Sequence, residues 1–184
     1  MKTRAIVQAR MLSSRLRGKS LISVSGTPLL YRVIENIKKL DFVDDIVIAT
    51  TSLEADQPIV SAAHALNVKV YQGSSLNVLE RFVKASSDMD EDDLLIRFTA
   101  DNPICIASIT KSVFEIAKEK DYVAIDDLSH IVPEFIKVKA LRRVKALADD
   151  PIDIEHVTTF FRKKEGESLF QIQLLILIII IFQA

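Results

Sequence analysis

The chain has 184 residues, 49% of them hydrophobic and 27% charged, with only 4 Gly and 5 Pro. That balance suits a single globular domain with a sizeable core and excludes disordered and collagen-like chains. The formal net charge of −1 gives no global pull on a polyanion, so any phosphate or nucleic-acid site must come from a local cluster.

The opening residues, MKTRAIVQAR, run directly into a strand pattern and lack the apolar stretch of a signal peptide, which leads to the expectation of a cytoplasmic protein. The lone Cys105 fits a reducing compartment and excludes an internal disulfide framework or Cys-based zinc cluster. AIVQA (5–9) reads as a buried strand. The loop that follows, QARMLSSRLRGK (8–19), carries Arg10, Arg15, Arg17 and Lys19 beside Ser13, Ser14 and Gly18. In open parallel sheets, ligands bind beyond the carboxyl ends of the strands. Guanidinium groups there can grip phosphate oxygens in pairs, with lysine adding a point charge. The alternative is a solvated basic loop. Neither the Walker nor the dinucleotide glycine spacing is present.

Further along, Thr27 as a cap and Pro28 in the first turn open a helix with an apolar stripe of Leu29, Leu30, Val33, Ile34, Ile37 and Leu40. IVIAT (46–50) is the second strand, ending in Thr50 and Thr51. A helix with Ile59, Val60, Ala63 and Leu66 leads to VKVY (68–71). Gln72, Gly73 and Ser74 follow that strand, and Arg81 stands about two turns later on a helix through Val78, Leu79, Phe82 and Val83, able to point back to the crevice. DMDEDD (88–93) reads as a solvated charge run.

LLIRF (94–98) runs into RFTADNPI (97–104), where Asp101 ends a strand. One carboxylate there could hold Mg²⁺, which in phosphate sites takes one or two carboxylates and fills its shell with water and substrate oxygens. A turn-forming Asp before Pro103 is the alternative. Cys105 lacks a nearby His base and reads as a small buried thiol. A helix with Ile109, Val113, Ile116 and Ala117 precedes the strand YVAI (122–125). The pattern loosens from 129 onward, with further helices expected over 139–147 and 154–163. Adjacent Glu155 and His156 point in different directions on a helix. The end, LLILIIIIF (174–182), is far short of the roughly 18 residues of a membrane helix and is expected to form a buried terminal strand. Strands alternating with helices predict βαβ units, a mostly parallel sheet with helices on both faces.

Several ordered blocks carry a resemblance: IVQARMLSSRLRGKSL, SGTPLLYRVIENIKK, IVIATT, VKVYQGSSLNVLERF, IRFTADNPI and IEHVTTFF. Together they resemble the cytidylyltransferase superfamily, of the acylneuraminate and 3-deoxy-manno-octulosonate type, particularly its spore-coat polysaccharide SpsF-like branch. The resemblance implies an α/β, Rossmann-like fold of the nucleotide-diphospho-sugar transferase type. It also implies an enzyme that transfers CMP from CTP to an acidic sugar in surface-polysaccharide precursor synthesis, releasing pyrophosphate with Mg²⁺ as cofactor. Carried over by position, Arg10, Lys19 and Asp101 serve catalysis, with Asp101 as the metal ligand. Ala9, Arg10, Ser14, Arg15, Lys19, Gly73, Ser74 and Arg81 bind the nucleotide. Related enzymes lead to the expectation of a homodimer, with no nucleic-acid or membrane partner; no Trp or interleaved aromatics accompany the basic loop.

The chain departs from the family pattern at Leu12, where Gly is usual, at Arg17, where Pro is usual, and at Ala100, where Gly usually precedes the metal-binding Asp. Within one domain of 1–184, the segment from about 171 replaces a strand with a second acidic motif by QIQLLILIIIIFQA. A non-catalytic homologue that binds nucleotide or a partner is the competing reading.

Overall fold

The computed structural model describes residues 1–12, 16–125, 128–164 and 169–172. Its strands are β1 (Thr3–Gln8), β2 (Ser23–Val24), β3 (Thr27–Pro28), β4 (Asp45–Thr51), β5 (Lys69–Gly73), β6 (Leu94–Thr99), β7 (Tyr122–Ile125), β8 (Glu134–Lys137) and β9 (Leu169–Ile172). The helices are α1 (Leu29–Ile37), α2 (Gln57–Ala65), α3 (Val78–Ala85), α4 (Ala107–Ala117), α5 (Val138–Leu147), α6 (Pro151–His156) and α7 (Thr159–Lys164).

Among the described residues, seven strands form one sheet in the order β5-β4-β1-β6-β8-β7-β9, and β2 and β3 form a separate small ribbon. β4 and β6 flank β1 in parallel, and β5 extends the parallel set. β8 is antiparallel to both β6 and β7. Alternation along the strands sends side chains to two apolar layers, as the period-2 geometry of a strand demands. Ala5, Val7 and Ala9 pack with Val33, Ile34, Ile59 and Val113, so α1, α2 and α4 cover one face. Ile6, Val47 and Leu95 pack with Leu79, Phe82, Leu141 and Phe161, so α3, α5 and α7 cover the other. This is the expected α/β architecture with helices on both faces.

Four local expectations need correction. Thr27 makes no cap; it pairs with Val24 in the β2–β3 ribbon, and Pro28 sits at the helix boundary without a side-chain cap. The helix expected over 154–163 is two helices, α6 and α7, broken at Val157, which is fully buried at φ 61°. The acidic run 88–93 is not merely solvated. Asp93 is buried and accepts from the N–H groups of Lys2 (2.6 Å) and Asp90 (2.9 Å), while Asp88 pairs with the buried Arg4 (2.5 Å). Finally, β8 lies in the stretch where no strand is expected. The terminal apolar run 174–182 lies outside the described residues, although β9 just before it joins the sheet edge beside β7.

Candidate functional site

β1 and β6 are adjacent and parallel, so the loops leaving their carboxyl ends open side by side. The loop after β1 is shaped by backbone contacts and one buried carboxylate. Gly18 donates its N–H to Met11 O at 2.7 Å with φ 71°, a left-handed conformation that glycine adopts without steric cost. Asp56, 1% exposed, accepts from Met11 N at 2.7 Å and from Thr50 Oγ1 and Thr51 N, both at 3.2 Å. It thereby ties the first loop to the end of β4. Thr50 and Thr51, at the end of β4, act here as anchors for Asp56.

The two loops enclose a polar cleft of about 180 Å³ lined by Gln8, Arg10, Lys19, Ser20, Arg97, Thr99, Ala100 and Asp101. Arg10, Lys19 and Asp101 thus converge in one cleft. Lys19 Nζ lies 2.8 Å from Asp101 Oδ2. Burial pushes the Asp101 carboxyl up, but the Lys19 ammonium and the Thr99 hydroxyl outweigh it and hold the group below its ordinary range. Asp101 is therefore ionised at neutral pH. Arg10 is half exposed, with Glu155 Oε1 3.5 Å from its Nη2, so Glu155 of α6 reaches the rim of the cleft. Ala9 sits behind the lining, 2% exposed with its N–H donated to Ala49 O at 3.1 Å. Ser14 and Arg15, expected phosphate contacts, lie outside the described residues. Leu12, 47% exposed, points its bulk to solvent. Cys105 is half-buried, with burial pushing its thiol up, consistent with an inert packing role.

A second group gathers at the ends of β5 and α3. Arg81 is fully buried and donates from Nη1 to Ser74 O, while its Nε and Nη2 have no partner among the described residues. Burial, with Arg10 nearby, pulls this guanidinium below its ordinary range. Buried unpaired donors are rare, and water, an ion or a ligand is what ordinarily satisfies them. Ser74 caps its own turn, accepting from Asn77 N at 3.2 Å, and Gly73 packs against Arg81. Gly73, Ser74 and Arg81 therefore act together, flanking the cleft on its β4–β5 side rather than lining it.

Sequence reasoning passed over a third group on the far side. Glu134 of β8, 2% exposed, receives Arg97 Nη1 at 2.7 Å, Arg162 Nη2 at 2.6 Å and the Tyr122 hydroxyl at 2.8 Å. Burial pushes the Glu134 carboxyl up, and the Arg97 and Arg162 guanidiniums more than reverse this and keep it ionised. The available signal was an arginine inside an otherwise apolar strand, LLIRF, since a buried charge needs a partner.

Among the described residues no three His, Cys, Asp or Glu side chains cluster. Among the described residues, Asp101 alone offers an ionised carboxylate in the lining of the cleft. One carboxylate plus phosphate oxygens and water is a shell that magnesium accepts. Asp101 therefore fits as a ligand of a metal carried in with a polyphosphate.

Comparison with known proteins agrees with this fold. Residues 4–178 match the family model described as cytidylyltransferase. The spore coat polysaccharide biosynthesis protein SpsF of Bacillus subtilis is 30% identical, over 92% of this chain and 73% of that protein. A 3-deoxy-manno-octulosonate cytidylyltransferase of Acinetobacter baumannii is 22% identical, over 83% of this chain and 62% of that enzyme. The structure of a cytidylyltransferase from Leptospira borgpetersenii superposes with TM-score 0.85 at 21% identity, covering 94% of this chain and 76% of that one. With the family match spanning nearly the whole chain and the cleft at the ends of β1 and β6, the protein belongs to the cytidylyltransferase family.

Proposed function

We propose that this protein transfers CMP from CTP to an acidic sugar, releasing pyrophosphate, in the synthesis of a surface-polysaccharide precursor. The observation that carries the reading is the convergence of Arg10, Lys19 and the ionised Asp101 in one cleft beyond β1 and β6. The acceptor class is supported by the relatives named for a sugar acid and for spore coat polysaccharide.

In this chemistry a sugar hydroxyl oxygen bonds to the α-phosphorus as the bond from that phosphorus to the pyrophosphate oxygen breaks, and the hydroxyl proton passes to solvent. No nucleophilic side chain is needed. Positioning and charge neutralisation supply most of the rate in such transfers. Arg10 and Lys19 offset the triphosphate charge from the first loop, and the buried Arg81 supports the nucleotide from the β5 side. Asp101 would hold Mg²⁺, which when bound supplies further neutralisation of the phosphates.

The test is pyrophosphate release from CTP with Mg²⁺ and a panel of acidic sugars, which also separates turnover from nucleotide binding alone. Lys19→Ala removes a charge-assisted contact worth roughly 1.5–3 kcal/mol, so CTP affinity measured by calorimetry should fall by about tenfold to a hundredfold. Asp101→Asn should reduce the magnesium dependence of CTP binding. Unchanged affinity in the first variant and unchanged metal dependence in the second would refute these roles.

A further inference from the structure

Arg97 lines the cleft, yet neither the first loop nor the β5 group accounts for it. It also lines a smaller pocket that continues from the cleft toward β8, whose walls include Asn102, Ser129, Ile131 and Pro133. The two spaces share Arg97 and Thr99, so this guanidinium stands at their junction. Gln8, Arg97 and Glu134 form a polar strip across β1, β6 and β8, at the carboxyl end of the face that carries Ile6 and Leu95.

The donors of Arg97 are unevenly used. Nη1 has a short partner in Glu134 at 2.7 Å, Nη2 reaches Gln8 Oε1 only at 3.5 Å, and Nε is buried with no partner among the described residues. Nε and Nη2 make up one edge of the guanidinium, the edge that can grip a carboxylate with two parallel hydrogen bonds. The charges point the same way. Among the described residues, Arg97 and Arg162 face the single carboxylate of Glu134, so these three side chains together carry one net positive charge.

Position decides which anion that charge serves. Arg10 and Lys19 belong to the loop after β1, and the Gly73, Ser74 and Arg81 group lies beyond β4. Arg97 lies on the opposite side, toward β8. A nucleotide spanning the first loop and the β5 end leaves the β6–β8 side to the acceptor. The Asn102 amide nitrogen donates to His130 O at 2.6 Å, which leaves its oxygen, with the hydroxyl of Ser129, to suit sugar hydroxyls there.

We propose that Arg97 binds the carboxylate of the acidic acceptor and that Glu134 positions its guanidinium. This rests on the acceptor class proposed above and assigns it a residue. Arg97→Gln is a tractable variant, since Glu134 keeps Arg162 at 2.6 Å and Tyr122 at 2.8 Å and so is not left as an unpaired buried charge. Arg97→Lys, which keeps the charge but loses the fork, serves as the second variant.

The probes are 3-deoxy-manno-octulosonate and N-acetylneuraminate, each with its methyl ester, titrated into CTP-loaded protein by ligand-observed NMR beside the pyrophosphate assay. The unmodified chain should bind the acid about tenfold to a hundredfold more tightly than the ester. Arg97→Gln should bind both alike, with CTP affinity within about twofold of the parent, and Arg97→Lys should fall between.

Equal acid preference in the parent and Arg97→Gln overturns the inference while leaving the enzyme reading intact. Loss of CTP affinity matching the loss of acid affinity also overturns it, since Arg97 then serves the triphosphate. No acid binding by the parent overturns it outright. Acid binding that depends on Arg97 without pyrophosphate release sustains the inference and removes the proposed reaction.

Discussion

Gly73 shows how a single hydrogen atom in place of a side chain shapes this site. A Cβ there would meet Tyr71 Cε1 at 2.8 Å and Arg81 Cγ at 3.1 Å. Both neighbours are constrained: Tyr71 packs against the layer beneath α3, and Arg81 is fully buried. Gly73→Ala should therefore lower stability by roughly 1–3 kcal/mol through overpacking and weaken CTP binding by displacing Arg81. Urea denaturation and calorimetry read the two effects, and a variant with parental values for both would show that Arg81 can move freely. Arg81 itself was legible in the sequence as a helix residue able to face the crevice. Its complete burial was not, because burial depends on Gly73 and Ser74 folding over it.

At the scale of elements, the strands and helices are joined at the end opposite the cleft by a charge clamp. Arg4 of β1 is 2% exposed and binds Asp45 of β4 in paired fashion, at 2.7 and 2.8 Å, as well as Ala85 O at the end of α3 at 2.8 Å and Asp88. Burial pushes Asp45 up, but Arg4, Lys2 and Lys69 reverse this and bring it down to about 2. A carboxylate whose folded value lies below its unfolded value of about 3.9 stabilises the fold above that pH and loses its contribution as pH falls through the folded value. A drop of nearly two units corresponds to on the order of 2 kcal/mol. Stability by urea denaturation should thus decline between about pH 4 and pH 2. Asp45→Asn should be weaker at pH 7 and show a shallower acid decline. An identical acid profile in the variant would place the titration elsewhere.

At the scale of the whole molecule, the candidate nucleotide site draws on segments widely separated in sequence: the first loop with Arg10 and Lys19, the β5–α3 turn with Arg81, and the β6 end with Asp101. A ligand that bridges them should stabilise the folded chain as a unit. At a hundredfold excess over its dissociation constant, CTP should add about 2.7 kcal/mol. For a domain of this size that raises the melting temperature by roughly 5–11 °C. Thermal denaturation with CTP and Mg²⁺ measures it, and no shift at saturating CTP would contradict nucleotide binding at this cleft. No described helix is long and apolar enough to cross a membrane.

What the sequence determined by itself is the repeating part of the architecture. Runs such as AIVQA, IVIAT and LLIRF are mostly apolar on both faces because both faces are covered by helices, and that signal is local. The strand-end position of Arg10 and Asp101 follows from the same reading, since side chains leaving a parallel sheet share one edge, whereas Lys19 is brought there by the closure of the first loop at Gly18 and Met11. β8 was invisible because EFIK carries a glutamate and a lysine at its ends, and both are buried only through partners far away in the chain. Glu134 meets Arg97 at a separation of 37 residues, and Lys137 Nζ reaches Asp92 O across 45. The tertiary structure alone decided those pairings, because a buried charge is tolerated only where the fold delivers its partner, and no local pattern encodes that partner.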